Sequence, residues 1–226
     1  PLNNVDSLYL NNVNSTDVVV TRPGGLNDLV INVNNNGGSI RLKDQAVSQS
    51  IIFTEIERFV FADSVIWSAA DLRVRYLLDA KTTGDDYIVG FRGDDTLDGG
   101  LGNDRLEGGG NGDTYIFDVG YGQDIIRDYI GNVTWNNPDR VEFGAGITTS
   151  NLTARRTGDD LIIKVIGTND QLTVEDYFNG TGFFKIESFH FTGGTIWTEA
   201  NLSPLLTTGT SGNDTLLGTA LADTVN

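Results

Sequence analysis

The sequence predicts an all-β fold in which a coil of short stacked strands lies between two homologous β-rich modules, each ending in a short helix. Three observations carry this expectation. From Thr83 to Phe117, glycines, aspartates and apolar residues recur in columns nine residues apart. The sequence on either side of that zone is duplicated at a spacing of roughly 130 residues. The duplicated segments alternate or run apolar over strand lengths and are punctuated by Asn, Gly and Asp clusters.

The duplication is direct. Asp28-Leu29-Val30-Ile31-Asn32-Val33 returns as Asp160-Leu161-Ile162-Ile163-Lys164-Val165, and Ile56-Glu57-Arg58-Phe59-Val60-Phe61 as Ile186-Glu187-Ser188-Phe189-His190-Phe191. Ile66-Trp67-Ser68-Ala69-Ala70-Asp71-Leu72 returns as Ile196-Trp197-Thr198-Glu199-Ala200-Asn201-Leu202. Gly84-Asp85-Asp86, at the entrance to the glycine-rich zone, reappears as Gly212-Asn213-Asp214. The expected boundaries are a first module over 1–81, the array over 82–126, a second module over 127–208 and the start of another array over 209–226.

Within the modules, 29–33, 40–42, 161–165 and 172–174 are expected strands. Phe59 and Phe61 should share one face, as should Phe189 and Phe191, because strand side chains alternate. A short helix should follow, capped by Ser68 or Thr198, with Pro204 helping to end the second one. Trp67 and Trp197 occupy the same strand-to-helix junction and are expected as core anchors. Trp135 has no counterpart and is read as loop packing, with an exposed aromatic as the alternative. Asp159-Asp160 matches Asn27-Asp28, so a hairpin role is expected rather than a pair of catalytic carboxylates.

In the array, Gly84, Gly93 and Gly102 form one column, continued by Asn111. Asp86, Asp95, Asp104 and Asp113 form a second, and Ile88, Leu97, Leu106 and Tyr115 an apolar third. Each step is a tight Gly-Asp turn followed by a three-residue strand whose middle residue points inward. Two steps complete one coil, so alternate turns stack about 4.8 Å apart. Acidic turns at that spacing repel. A cation between them removes the repulsion, and an all-oxygen ligand set suits calcium.

Gly99-Gly100-Leu101-Gly102-Asn103-Asp104-Arg105-Leu106-Glu107 resembles the calcium-binding nonapeptide of RTX proteins. Residues 90–97 match with Phe91 in place of a glycine, and 108–115 match with Asn111 in another glycine place. The flanking modules are similar to the haemolysin-type calcium-binding-related domain. The similarity lies in Gly158-Asp159-Asp160-Leu161, Asp170-Gln171-Leu172-Thr173-Val174 and Phe191-Thr192-Gly193-Gly194-Thr195-Ile196-Trp197. The resemblance implies a parallel β-roll, unfolded without calcium and exported by type I secretion machinery. Its ligands would be Asp side chains and turn carbonyls: Asp86 paired with Asp104, Asp95 with Asp113, and Asp124 with Asp104. The carbonyls would come from Arg92, Gly93, Leu101, Gly102 and Gly110. Roughly three ions are expected, with about five as an outer limit. Gly120 to Ile126, where the register slips by two, reads as the terminal turn.

Composition favours a cation partner or simple solubility, as a solvated acidic surface. The 226 residues hold 31 acidic and 15 basic side chains, a net charge of −16. That balance excludes a basic nucleic-acid footprint and attraction to anionic membranes. No apolar run reaches the length of a membrane span. Cysteine is absent, which removes disulfides and thiolate metal sites. Methionine is absent too, position 1 included, so the chain is expected to begin inside a longer product or after processing.

For catalysis there is little material. His190, the single histidine, is expected at a polar contact or in solvent. An EF-hand starting at Asp94 fails because Arg105 stands where a bidentate Glu is needed. The expected function is therefore non-enzymatic: calcium-triggered folding of a secreted or cell-surface protein. A calcium-scaffolded module for adhesion or carbohydrate binding, with a glycan or cell-surface ligand, is the alternative.

Overall fold

The computed structural model describes residues 5–25, 27–34, 37–46, 56–129 and 137–207. Trp135 and the expected array start at Gly212, Asp214 and Asp223 lie outside them. The fold is mostly β, with mixed sheets and two short helices, and it divides into two units, Pro1–Lys81 and Thr82–Asn226. Among the described residues no helix is long and apolar enough to cross a membrane.

The first unit contains β1 (Ser7–Leu10), β2 (Val18–Thr21), β3 (Leu29–Val33), β4 (Gly38–Leu42), β5 (Arg58–Phe61), β6 (Ile66–Ser68) and helix α1 (Ala69–Ala80). They form two three-stranded sheets, β1-β5-β6 and β2-β3-β4. Alternation sets the buried face: Val18 and Val20, Leu29 and Ile31, and Phe59 and Phe61 are all buried. Ser68 caps α1 in a capping box, accepting the Asp71 N–H while the Asp71 carboxylate accepts the Ser68 N–H. Leu72 and Tyr76, one turn apart, bury that helix face, and Asp79 accepts the Val20 N–H at 2.7 Å, tying α1 to β2.

The second unit contains β7 (Tyr87–Val89), β8 (Thr96–Asp98), β9 (Arg105–Glu107), β10 (Thr114–Phe117), β11 (Gln123–Ile126), β12 (Arg140–Phe143), β13 (Leu152–Thr157), β14 (Asp160–Val165), β15 (Gln171–Val174), β16 (Ser188–Phe191), β17 (Ile196–Trp197) and helix α2 (Glu199–Thr207). Strands β12, β16 and β17 repeat the pairing of β1, β5 and β6, and β13, β14 and β15 repeat that of β2, β3 and β4. Each module aspartate at the hairpin entrance makes the same bond: Asp28 accepts the Asp44 N–H at 2.8 Å, and Asp160 accepts the Asp176 N–H at 2.9 Å.

Strands of successive array steps alternate between two sheets. One runs β7-β9-β11-β15-β14-β13 and the other β8-β10-β12-β16-β17, with all array contacts parallel. The apolar column Ile88, Leu97, Leu106 and Tyr115 is buried at 1% exposure or less, each side chain contributing roughly 1.5–3 kcal/mol of transfer energy.

Three expectations need correction. The segment Gly120 to Ile126 is not terminal, because β11 pairs with β9 on one side and β15 on the other. Its two-residue slip is absorbed in the turn before Gln123, which leaves the strand in register with both neighbours. Pro204 lies inside α2 rather than at its end. Leu202 and Leu206, one turn apart, are both buried, and this offsets the amide bond to residue 200 that proline cannot make. Trp67 and Trp197 are half-buried, at the margin of the core. They pack edge-on against Phe61 and Phe191, at centroid distances of 4.5 and 5.0 Å.

Candidate metal centre

Stacked turns of the array are joined by their aspartates. The Asp86 N–H donates to Asp104 Oδ1 at 2.8 Å, and the Asp104 N–H to Asp124 Oδ1 at 2.9 Å. On the other sheet the Asp95 N–H donates to Asp113 Oδ1 at 2.8 Å, and the Asp113 N–H to Asp139 Oδ1 at 2.7 Å. The Asp139 N–H then reaches Glu187 Oε2 at 2.7 Å. Each carboxylate thus spends one oxygen on the backbone one coil earlier. The second oxygen, Oδ2 of Asp104, Asp113 and Asp124, is buried and has no hydrogen-bond donor.

Burial rises along the ladders. Asp86 and Asp95 are half-buried, whereas Asp104, Asp113, Asp124 and Asp139 are 1% exposed or less. Burial, reinforced by neighbouring acids, pushes the Asp113 carboxyl up to about 8 and Asp124 to about 7. Asp104 is raised for the same reason. Asp128 and Asp139 both rise, through burial and the negative groups around them, Asp113 beside Asp128 and Asp128 beside Asp139. Carboxyl oxygens of Asp113, Asp128 and Asp139 lie within 4.8 Å of one another, all three residues buried. Three carboxylates cannot all ionise there without a counter-charge.

Close backbone approach requires glycine at 102 and 122. A Cβ on Gly102 would stand 2.4 Å from the Gly84 carbonyl oxygen, and one on Gly122 would stand 2.1 Å from the Gly102 oxygen. Carbonyl oxygens therefore line the stacked turns close to the aspartates. Asn111, in a glycine place, adopts φ of 75°, which Asn tolerates, and its Nδ2 donates to the Arg92 carbonyl. Gly93 lies on an exposed turn with open space beyond its Cα, Gly110 is half-buried near the Arg92 side chain, and Leu101 is half exposed.

The structure brings Asp86, Asp104 and Asp124 into one ladder and Asp95 and Asp113 into another. Sequence reasoning missed Asp128 and Asp139. A signal for Asp139 exists: Asp139-Arg140-Val141-Glu142 nearly repeats Asp104-Arg105-Leu106-Glu107, without the glycine turn in front. Asp128 follows β11 and belongs to no column. His190 makes the expected polar contacts, Nε2 with Ser188 Oγ at 2.9 Å and Nδ1 with Glu142 at 3.5 Å.

Two stretches of the chain, residues 28–71 and 160–201, match the haemolysin-type calcium binding protein related domain. Over 115 residues, half of this chain, the sequence is 38% identical to the iron-regulated protein FrpA of Neisseria meningitidis serogroup C. The matched stretch is 10% of that relative's length.

Proposed function

Taking as premise that the chain carries two haemolysin-type calcium-binding-related domains, we propose that it is a calcium-binding structural segment of a larger secreted protein. Its array is a parallel β-roll over 82–126, and the segment folds when it meets calcium after type I export. The ligands are Asp86, Asp95, Asp104, Asp113 and Asp124, joined by Asp128 and Asp139. Turn carbonyls at Arg92, Gly93, Leu101, Gly102 and Gly110 complete the shells. The role is structural rather than catalytic.

One observation carries this reading: buried carboxylate oxygens without donors, repeated coil after coil, on Asp104, Asp113 and Asp124. The donor set fits the ion, because every candidate atom is a hard oxygen, as calcium prefers. Bound calcium supplies the positive charge that lets neighbouring carboxylates ionise together. The aspartates and glycines do the rest. They hold the turns at stacking distance, seal the apolar column and orient one oxygen of each carboxylate between coils. In the low calcium of a cytosol the acidic turns repel, which favours the extended chain that a secretion channel needs.

A calcium titration followed by circular dichroism and thermal melting tests the reading. A gain of β signal and a rise in melting temperature between chelator and millimolar calcium are expected. An unchanged spectrum and melting temperature would sink it.

A further inference from the structure

The second unit holds a pocket of about 260 Å³, lined by Arg156, Tyr177, Phe178, the turn Gly180 to Gly182, Lys185 and Glu199. None of these residues belongs to the aspartate ladders. The turn at its rim is exposed, and Gly180 and Gly182 take φ of 79° and 77°, a left-handed backbone that glycine accommodates. A Cβ at either position would meet nothing within 4 Å, so the rim is open.

The cations of the pocket are held in place by the protein itself. The Arg156 guanidinium lies 4.8 Å over the Phe178 ring, with Nε donating to the Gly158 carbonyl at 2.7 Å and Nη2 to Asp159 Oδ1 at 3.1 Å. The Lys185 ammonium stands 5.7 Å from the Tyr177 ring centre and donates to Glu199 Oε2. An ammonium has three donors, so Lys185 keeps others for a ligand. Tyr177 and Phe178 pack edge to face, with centroids 4.7 Å apart, and form an apolar wall. Next to Lys185 in the chain, Phe184 packs against Tyr129 at 5.1 Å, with Arg127 5.6 Å over its ring, and Tyr129 is 56% exposed.

These groups lie outside the frame that the two modules share. The duplication puts Glu55 where Lys185 stands and Ala69 where Glu199 stands. Gln45 follows Asp44 as Tyr177 follows Asp176, and it exchanges hydrogen bonds of 3.1 Å with the N–H and carbonyl of Ile56. The first module thus uses this position to tie its own backbone, whereas the second places an aromatic ring beside a cation.

We propose that this pocket binds an acidic sugar, one uronate residue of a polysaccharide chain. Arg156 and Lys185 attract the carboxylate, and the Tyr177–Phe178 wall covers the apolar C–H face of the ring. Glu199 fixes Lys185 and disfavours a dianion such as phosphate. The volume is below the roughly 300–1,000 Å³ of pockets for drug-sized ligands, which suits a single sugar ring. The open rim lets the polymer continue, and the exposed Tyr129–Phe184 pair offers a second stacking surface. With a net charge of −16, the protein as a whole repels polyanions, so any binding must come from such a local site.

This inference does not rest on the calcium reading, because no proposed calcium ligand lines the pocket. The test is calorimetric titration of the full chain in millimolar calcium with a hyaluronan tetrasaccharide, in which glucuronate alternates with N-acetylglucosamine. Neutral chitotetraose, a hexaglutamate peptide and inorganic phosphate serve as comparison ligands, and bound calcium is measured in the same samples. Lys185→Gln and Arg156→Gln should each weaken hyaluronan binding about tenfold or more, and Lys164→Gln, on exposed β14 surface, should leave it unchanged. Amide chemical shifts of Gly180 and Gly182 in the native chain should move on titration, a readout that holds even where a variant fails to fold. A chain that binds calcium but no hyaluronan overturns this inference alone, and one that binds hyaluronan but no calcium overturns the calcium reading alone. Equal binding of chitotetraose, hexaglutamate or phosphate overturns the assigned ligand, and unmoved Gly180 and Gly182 shifts overturn the assigned site.

Discussion

The backbone N–H of Asp113 donates to Oδ1 of Asp139 across 2.7 Å, although 26 residues separate them in sequence. Asp113 belongs to the last regular step of the array, and Asp139 opens the strand that starts the second module. The bond continues the ladder that joins Asp95 to Asp113, so array and module share one stack of carboxylates.

Asp139→Asn is predicted to have opposite effects in two solutions. Without calcium it removes a buried acid from a crowded site, and stability should rise by about 1 kcal/mol. With calcium it removes a charged ligand, and affinity should fall roughly tenfold, which corresponds to about 1.4 kcal/mol. Chemical denaturation in chelator and in calcium reads both. The same sign of effect in both solutions would contradict the assignment of Asp139 as a ligand.

The pH dependence of the calcium-free protein follows from the raised carboxyls. An unfolded aspartate ionises near 4, whereas folded Asp113 keeps its proton to about 8 and Asp124 to about 7. Between those values the unfolded chain releases protons that the folded chain retains. Stability is therefore highest below about 4 in this contribution and is lost as pH rises through the folded values. Melting temperature in chelator should fall from pH 5 to pH 8, and saturating calcium should flatten or reverse that slope. A chelator melting temperature that is constant or rising across this window would count against buried, uncompensated acids.

Gly102→Ala and Gly93→Ala should separate glycines needed for close stacking from those that are not. A Cβ on Gly102 meets the Gly84 oxygen at 2.4 Å with φ at +141°, whereas one on Gly93 meets nothing within 4 Å. The first should cost about 1–3 kcal/mol in calcium and the second less than about 1 kcal/mol. Thermal melts at saturating calcium measure both, and equal effects would argue against stacking through the Gly84 carbonyl.

Much of this arrangement is legible in the sequence because the array repeats with a fixed period. A nine-residue step fixes which residue turns, which points inward and which faces the next coil, so Ile88, Leu97, Leu106 and Asp104 fall where the columns place them. The module duplication likewise gives the strand pairs around Leu29 and Leu161. What escapes is whatever breaks period. The chain between Phe117 and Asp139 has no regular nine-residue step, so the continuation of both sheets through β12 and β15 falls out of register with the columns, and only the echo of 104–107 at 139–142 marks it. Asp128 is buried by this tertiary closure, not by any repeat. Pro204 follows the usual rule for helix ends, yet burial of Leu202 and Leu206 overrides it.

The most direct measurement is the number of calcium ions bound per chain at equilibrium, by dialysis at pH 7 and millimolar free calcium, for the native sequence and Asp113→Asn. The account predicts about three ions bound to the native chain and fewer to the variant. Calcium no higher inside the dialysis chamber than outside would contradict it.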